Sequence, residues 1–150
     1  MKRRTVLPLI LIFLITVLPV STYADYEKEV LDVVRAFCKL DFEGARLSSR
    51  TWNKISPYVA WEEEPGWDVA LAIKHYDIGK VVVSRQRAVV TVRYDIARSC
   101  PDSFGPTQLQ KFETAELELV KMDGSWVINS KVMYPRVSSD ILCDKYNCCE

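Results

Sequence analysis

RAVVTVRYDIAR, Arg87 to Arg98, alternates along its length: Ala88, Val90, Val92, Tyr94 and Ile96 take one face of an extended chain. Thr91, Arg93 and Asp95 fall on the other. A strand of this kind has one apolar face to hide, so its flanks decide the architecture. Upstream, DVALAIKHYDIGKVVVSR is rich in β-branched residues, and Gly79 inside it predicts a long strand with a bulge or bend. Downstream, FETAELELVKMDGSWVINSKVMYP reads as a hairpin turning at Asp123-Gly124. Ala115, Leu117 and Leu119 share one face of its first strand; Trp126, Ile128, Ser130, Val132 and Tyr134 share one face of its second. Pro135 is expected to close the sheet, with a polar tail beyond it.

The cover for these strands lies ahead of them. Tyr26, Val30, Val33, Val34, Phe37 and Leu40 recur at three- and four-residue steps, which predicts an amphipathic helix over Tyr26 to Leu47. Asp25 is the expected N-cap, and Gly44 marks an irregularity near the end. Ser48 to Glu64 reads as short helix plus loop, and EEEPGW as a turn. The predicted class is α+β, with amino-terminal helices packed on a strongly curved antiparallel sheet and the leading helical segment as its one cover.

Composition limits the partners. Lys2, Arg3 and Arg4, the apolar run from Val6 to Leu18, and Thr22 and Ala24 read as a signal peptide over residues 1–24, cut before Asp25. Three of the 20 Lys and Arg precede that point, leaving 17 against 20 Asp and Glu, a net charge of −3. A charge of that sign, without a basic cluster, argues against nucleic acid as partner. Residues 25–136 fit one domain, and residues 137–150 form a cysteine-rich tail. The expected address is the periplasm or the extracellular space, with no membrane attachment after cleavage.

EVLDVVRAFCKLDFEGARLSS, YVAWEEEPGWD, RAVVTVRYDIA and DGSWVI, in that order, resemble the nuclear-transport-factor-2-like superfamily, especially its small exported bacterial members. That superfamily includes ketosteroid isomerase and SnoaL-like cyclases. The resemblance implies a cone in which sheet and helices enclose a pocket, and an outer sheet face that dimerises. Val89, Thr91, Phe112, Val120, Val127 and Met133 are the residues expected on that face. Another exported helix-plus-sheet module, such as a cystatin-like inhibitor, is the alternative.

Six residues are candidates for a pocket: Trp61, Trp67, His75, Tyr76, Tyr94 and Tyr134. His75, sharing a side of its strand with Asp77 and with Tyr76 opposed, could serve as a general base, although a strand-end histidine near a bend is the favoured reading. Tyr94 and Asp95 do not match the spacing of ketosteroid isomerase, so no catalytic residue is assigned. No motif calls for a metal or a cofactor. The expected function is binding of a small hydrophobic ligand or a protein partner, without catalysis. The contending reading is a pocket enzyme of isomerase, cyclase or hydrolase type acting on a small hydrophobic molecule.

Three of the five cysteines, Cys143, Cys148 and Cys149, end the chain. Their spacing suits neither a zinc site nor a prenyl signal, and an oxidising compartment makes disulfides the default. A simple meander puts the strand ends near Arg98 and Tyr134 at one edge, about 10 Å apart. The chain from Arg136 to Cys143 reaches at most about 25 Å. A bridge from Cys100 is therefore expected, to Cys143 first and to Cys148 second. Cys38, on the helix, is expected to stay a buried thiol.

Overall fold

The computed structural model describes residues 23–100 and 111–148; the signal-peptide reading falls almost wholly outside them. Helix α1 spans Tyr23–Phe42 and buries Val30, Val34, Phe37, Cys38 and Asp41, the stripe that its spacing requires. Each fully buried aliphatic or aromatic side chain on it contributes roughly 1.5–3 kcal/mol. Because the helix begins at Tyr23, Asp25 lies in its first turn and is not the N-cap. Its end comes earlier than Leu47. Gly44 takes φ 79°, a left-handed conformation that stops the helix, and its N–H bonds the Asp41 carbonyl. Short turns of 3-10 helix and the one-turn helix α2 (Trp52–Ile55) follow.

The strands are β1 (Ala70–Val83), β2 (Arg87–Cys100), β3 (Phe112–Met122), β4 (Ser125–Ile128) and β5 (Arg136–Ser138). They form one strongly curled sheet in the order β4-β3-β2-β1-β5. Asp123 and Gly124, both at positive φ, make the tight turn between β3 and β4.

The first strand does not alternate simply, and its parity shows why. Leu71 and Ile73 pack into the main core, and so do Tyr76, Ile78, Val81 and Val83. The inward set thus changes from odd to even and back. The changes fall where the pairing with β2 slips, between Ile73 and His75 and between Ile78 and Val81, the second containing Gly79. A slip on the other strand, between Arg98 and Ile96, passes over Ala97. After it, Arg98 and Cys100 pair with Ala72 and Ala70 on the outer face.

Two expectations fail beyond Ile128. The second hairpin strand is short because the N–H groups of Asn129 and Ser130 both turn to the Glu118 carbonyl, ending the regular ladder. The chain then crosses to the far edge of the sheet and resumes after Pro135 as β5, parallel to β1. The sheet is therefore mixed rather than purely antiparallel. No polar tail begins there either: helix α3 (Ser139–Tyr146) follows, with Leu142 buried. Val137 and Leu142 join Ala70, Ala72 and Cys100 in a second core on the outer face. The sheet is covered on both sides at this end, so α1 is not its only cover.

Cys100 is bridged to Cys148, the second expectation, rather than to Cys143. The reason is α3. A helix holds Cys143 inside its turns, whereas Asn147, at φ 54°, reverses the chain and delivers Cys148 to the sheet. Cys143 is also disulfide-bonded, and Cys38 is a buried free thiol. On the outer face, Val89, Thr91, Val120 and Val127 are half-buried and lie in register among Arg87, Glu116 and Glu118. Phe112 sits under the Arg93 guanidinium at 4.0 Å, and Met133 lies in the crossing segment rather than on the sheet.

Candidate functional site

The interior between α1 and the sheet is filled. Tyr94 projects inward from β2, buried, and its hydroxyl lies 3.8 Å from the Cys38 sulfur. Burial pushes the Cys38 thiol up to about 12 and raises Tyr94 well above the usual phenol range. Both are therefore neutral packing groups at physiological pH, not a nucleophile and its base.

Beside them lies a buried charged network. Arg46 donates to Glu64 (Nε to Oε1, 2.7 Å) and its Nη1 stands 3.6 Å from Asp41 Oδ2. Its remaining donors reach the carbonyls of Val132 and Tyr134 in the crossing segment, at 2.7 and 3.3 Å. Arg136 donates its backbone N–H to Asp41 (3.1 Å) and its side chain to Glu113 (2.6 Å). A buried crossing needs partners for its backbone carbonyls, and Arg46 supplies them. This network ties β5 to α1. Burial, opposed by Arg46, lifts the Asp41 carboxyl to about 6.

The six pocket candidates disperse around this interior. Trp61 is half-buried, packed edge-on to Phe37 and stacked on Trp52, with Arg46 5.5 Å from its ring centre. Tyr76 and Tyr94 form an aromatic row with Phe42. Tyr134 contributes its carbonyl to both arginines. His75 does contact Asp77 at 2.9 Å, but both side chains are 67 % exposed on the solvent side. Trp67 stands apart, against the second core.

Two clefts flank α3, and another of about 250 Å³ lies on β2 and β3, lined by Arg87, Val89, Glu118 and Val120. A cleft of about 490 Å³ opens at the amino-terminal end of α3, with Phe42, Ile73 and Ala97 as apolar walls. Lys74, Arg98, Ser138, Ser139 and Asp140 supply its polar side. Lys74 and Ala97, two of the residues passed over by the β1–β2 pairing, both line it, so the first irregularity of β1 also shapes this cleft. A second cleft of about 240 Å³ opens at the carboxy-terminal end of α3, between Trp67 and Tyr146. Cys148 lines both, so the disulfide stands between them. Among the six candidates, only Trp67 lines either cleft. The change from Leu71 and Ile73 to Tyr76 and Ile78 was the sequence signal for the bulge at Lys74; α3 left no comparable mark.

No family model matches the chain, and no curated protein does. Among solved structures, it is similar to a Campylobacter jejuni protein described as a candidate NTF2-like transpeptidase. The two are 12 % identical, with 67 % of this chain and 97 % of that one covered at a TM-score of 0.36. Too little geometry is shared for that protein's role to be read across. The molecule's own order, a leading helix and then a strongly curled sheet, is that of a cone-like α+β fold.

Proposed function

We propose that this is an exported binding module without catalytic activity, and that its ligand occupies the larger cleft at the start of α3. The cleft carries the reading. Its apolar walls, Phe42, Ile73 and Ala97, face the polar groups of Lys74, Arg98, Ser138, Ser139 and Asp140, an arrangement that suits a small molecule with an apolar part and a polar end. Binding would be fixed by the sheet, because every apolar wall except Phe42 lies on a strand. Export is supported by the Cys100–Cys148 bridge, which belongs to an oxidising compartment. No helix among the described residues is long and apolar enough to cross a membrane.

The interior argues for binding over chemistry. Cys38 and Tyr94 are held neutral, and His75 with Asp77 points away from both clefts. The test is titration of the full chain, disulfides intact, with octanoate and with octanol, followed by backbone amide NMR. Saturable shifts centred on Ile73, Ala97 and Ser138 are expected, and Ala97→Trp should abolish them by filling the cleft. Absence of saturable shifts there with both probes would overturn this reading.

A further inference from the structure

The two ends of α3 differ in electrical character. At its carboxy-terminal end the smaller cleft is walled by Leu47, Trp67, Ala70, Leu142 and Tyr146, and Asp68 is its one charged lining residue. Asp68 makes no ion pair among the described residues. The last turn of α3 ends here as well, presenting the negative end of its peptide dipoles. Trp67 is half-buried and Tyr146 is 52 % exposed, so two aromatic rings are set at the mouth of an otherwise aliphatic recess. The volume, about 240 Å³, lies below the ~300–1,000 Å³ of pockets for drug-sized ligands.

Each feature selects the same chemistry. The recess rejects a strongly hydrated ion, because its walls offer almost no hydrogen-bond partners to replace lost water. A neutral apolar molecule would fit the walls but gain nothing from Asp68, an exposed residue beside them. A cation whose charge is spread over methyl groups meets both demands: its surface is apolar, and its charge is drawn to aromatic faces and to a carboxylate. We propose that the smaller cleft is a site for small organic cations of the quaternary ammonium class, held between Trp67 and Tyr146 and paired with Asp68. The site lies on the other side of the disulfide from the larger cleft and stands or falls independently of the ligand proposed there.

Its floor includes both Cys100 and Cys148. The recess therefore exists only while α3 is fastened to the sheet, which makes the oxidised full chain the form to test. The probes are choline and its neutral carbon isostere, 3,3-dimethyl-1-butanol, titrated separately while the Trp67 indole N–H is followed by NMR. Choline should saturate, with the isostere roughly fivefold weaker or more. Asp68→Asn, at an exposed residue, should narrow the gap between choline and the isostere, leaving only the part due to the aromatic faces. Trp67→Phe, which keeps an aromatic face of smaller extent, should weaken choline without abolishing it. Equal binding of the two probes, no saturation by choline, or an Asp68→Asn variant that binds choline as the parent does would each overturn the proposal.

Discussion

Asp41 sits where the amino-terminal helix meets the end of the chain, and its protonation is the clearest single-residue handle on stability. The carboxyl is 2 % exposed, receives the Arg136 N–H, and has one oxygen without a hydrogen-bond partner. Burial raises it from the usual 3.8 to about 6 despite Arg46. The unfolded chain therefore ionises first as pH rises. Below pH 4 both states hold the proton; between about 4 and 6 the folded state loses stability; above 6 the loss is complete, on the order of 3 kcal/mol. Other carboxylates titrate in this range, so the measurement is a difference: urea midpoints of the parent minus those of Asp41→Asn, from pH 3.5 to 7. Asparagine keeps the acceptor for Arg136 and cannot ionise, so the difference should move against the parent across that window. A constant difference would show that folding leaves the Asp41 carboxyl unshifted, and a difference that moves toward the parent would show it depressed by its partners.

At the scale of one element, β1 has a device that can be broken by a single methyl group. A Cβ on Gly79 would stand 2.8 Å from the Thr91 hydroxyl oxygen. That oxygen cannot simply swing away, because it accepts the Lys80 N–H at 2.8 Å. Gly79→Ala should therefore cost about 1–3 kcal/mol by overpacking. Thr91→Ala alone should cost about 1 kcal/mol through the lost hydrogen bond. In the Thr91→Ala background, Gly79→Ala should be close to neutral, giving a strong coupling in a double-mutant cycle of chemical-denaturation energies. If the two costs simply add, the close approach of β1 to β2 at this point is wrong.

For the whole molecule the Cys100–Cys148 bridge is the decisive restraint. It spans a sequence separation of 48 and fastens α3 to the start of β1 and the end of β2. Without it, α3 rests on a three-residue strand and a small apolar cluster. Cys148→Ser and Cys100→Ser should each lower stability by about 2–4 kcal/mol, the double variant no further. Equilibrium denaturation checks this, and an unchanged Cys148→Ser midpoint would refute the restraint. A second whole-chain expectation concerns processing: intact mass of protein recovered from the exporting cell should begin at Asp25. Full-length chain held in the membrane would contradict it. Cleavage there removes two exposed residues, Tyr23 and Ala24, from the start of α1 and leaves the buried stripe intact.

Periodicity alone determined α1, the long strands, the tight turn at Asp123-Gly124 and the inward set from Ala88 to Tyr94, because each depends on neighbours a few residues away. Gly79 likewise announced its irregularity, since a missing side chain is a local fact. Short elements did not declare themselves: β5 has three residues and α3 eight, too few for a period to rise above composition. Their existence depends on long-range partners, namely Leu71 to Ile73 for β5 and Ala70, Ala72 and Cys100 for α3. With α3 unforeseen, Trp67 was singled out without the helix that forms the other wall of its cleft, and Lys74, Ala97, Arg98 and Ser138 were not singled out. Only the folded chain could choose Cys148 over Cys143, because a helix and one left-handed residue, rather than chain length, decide which sulfur reaches the sheet.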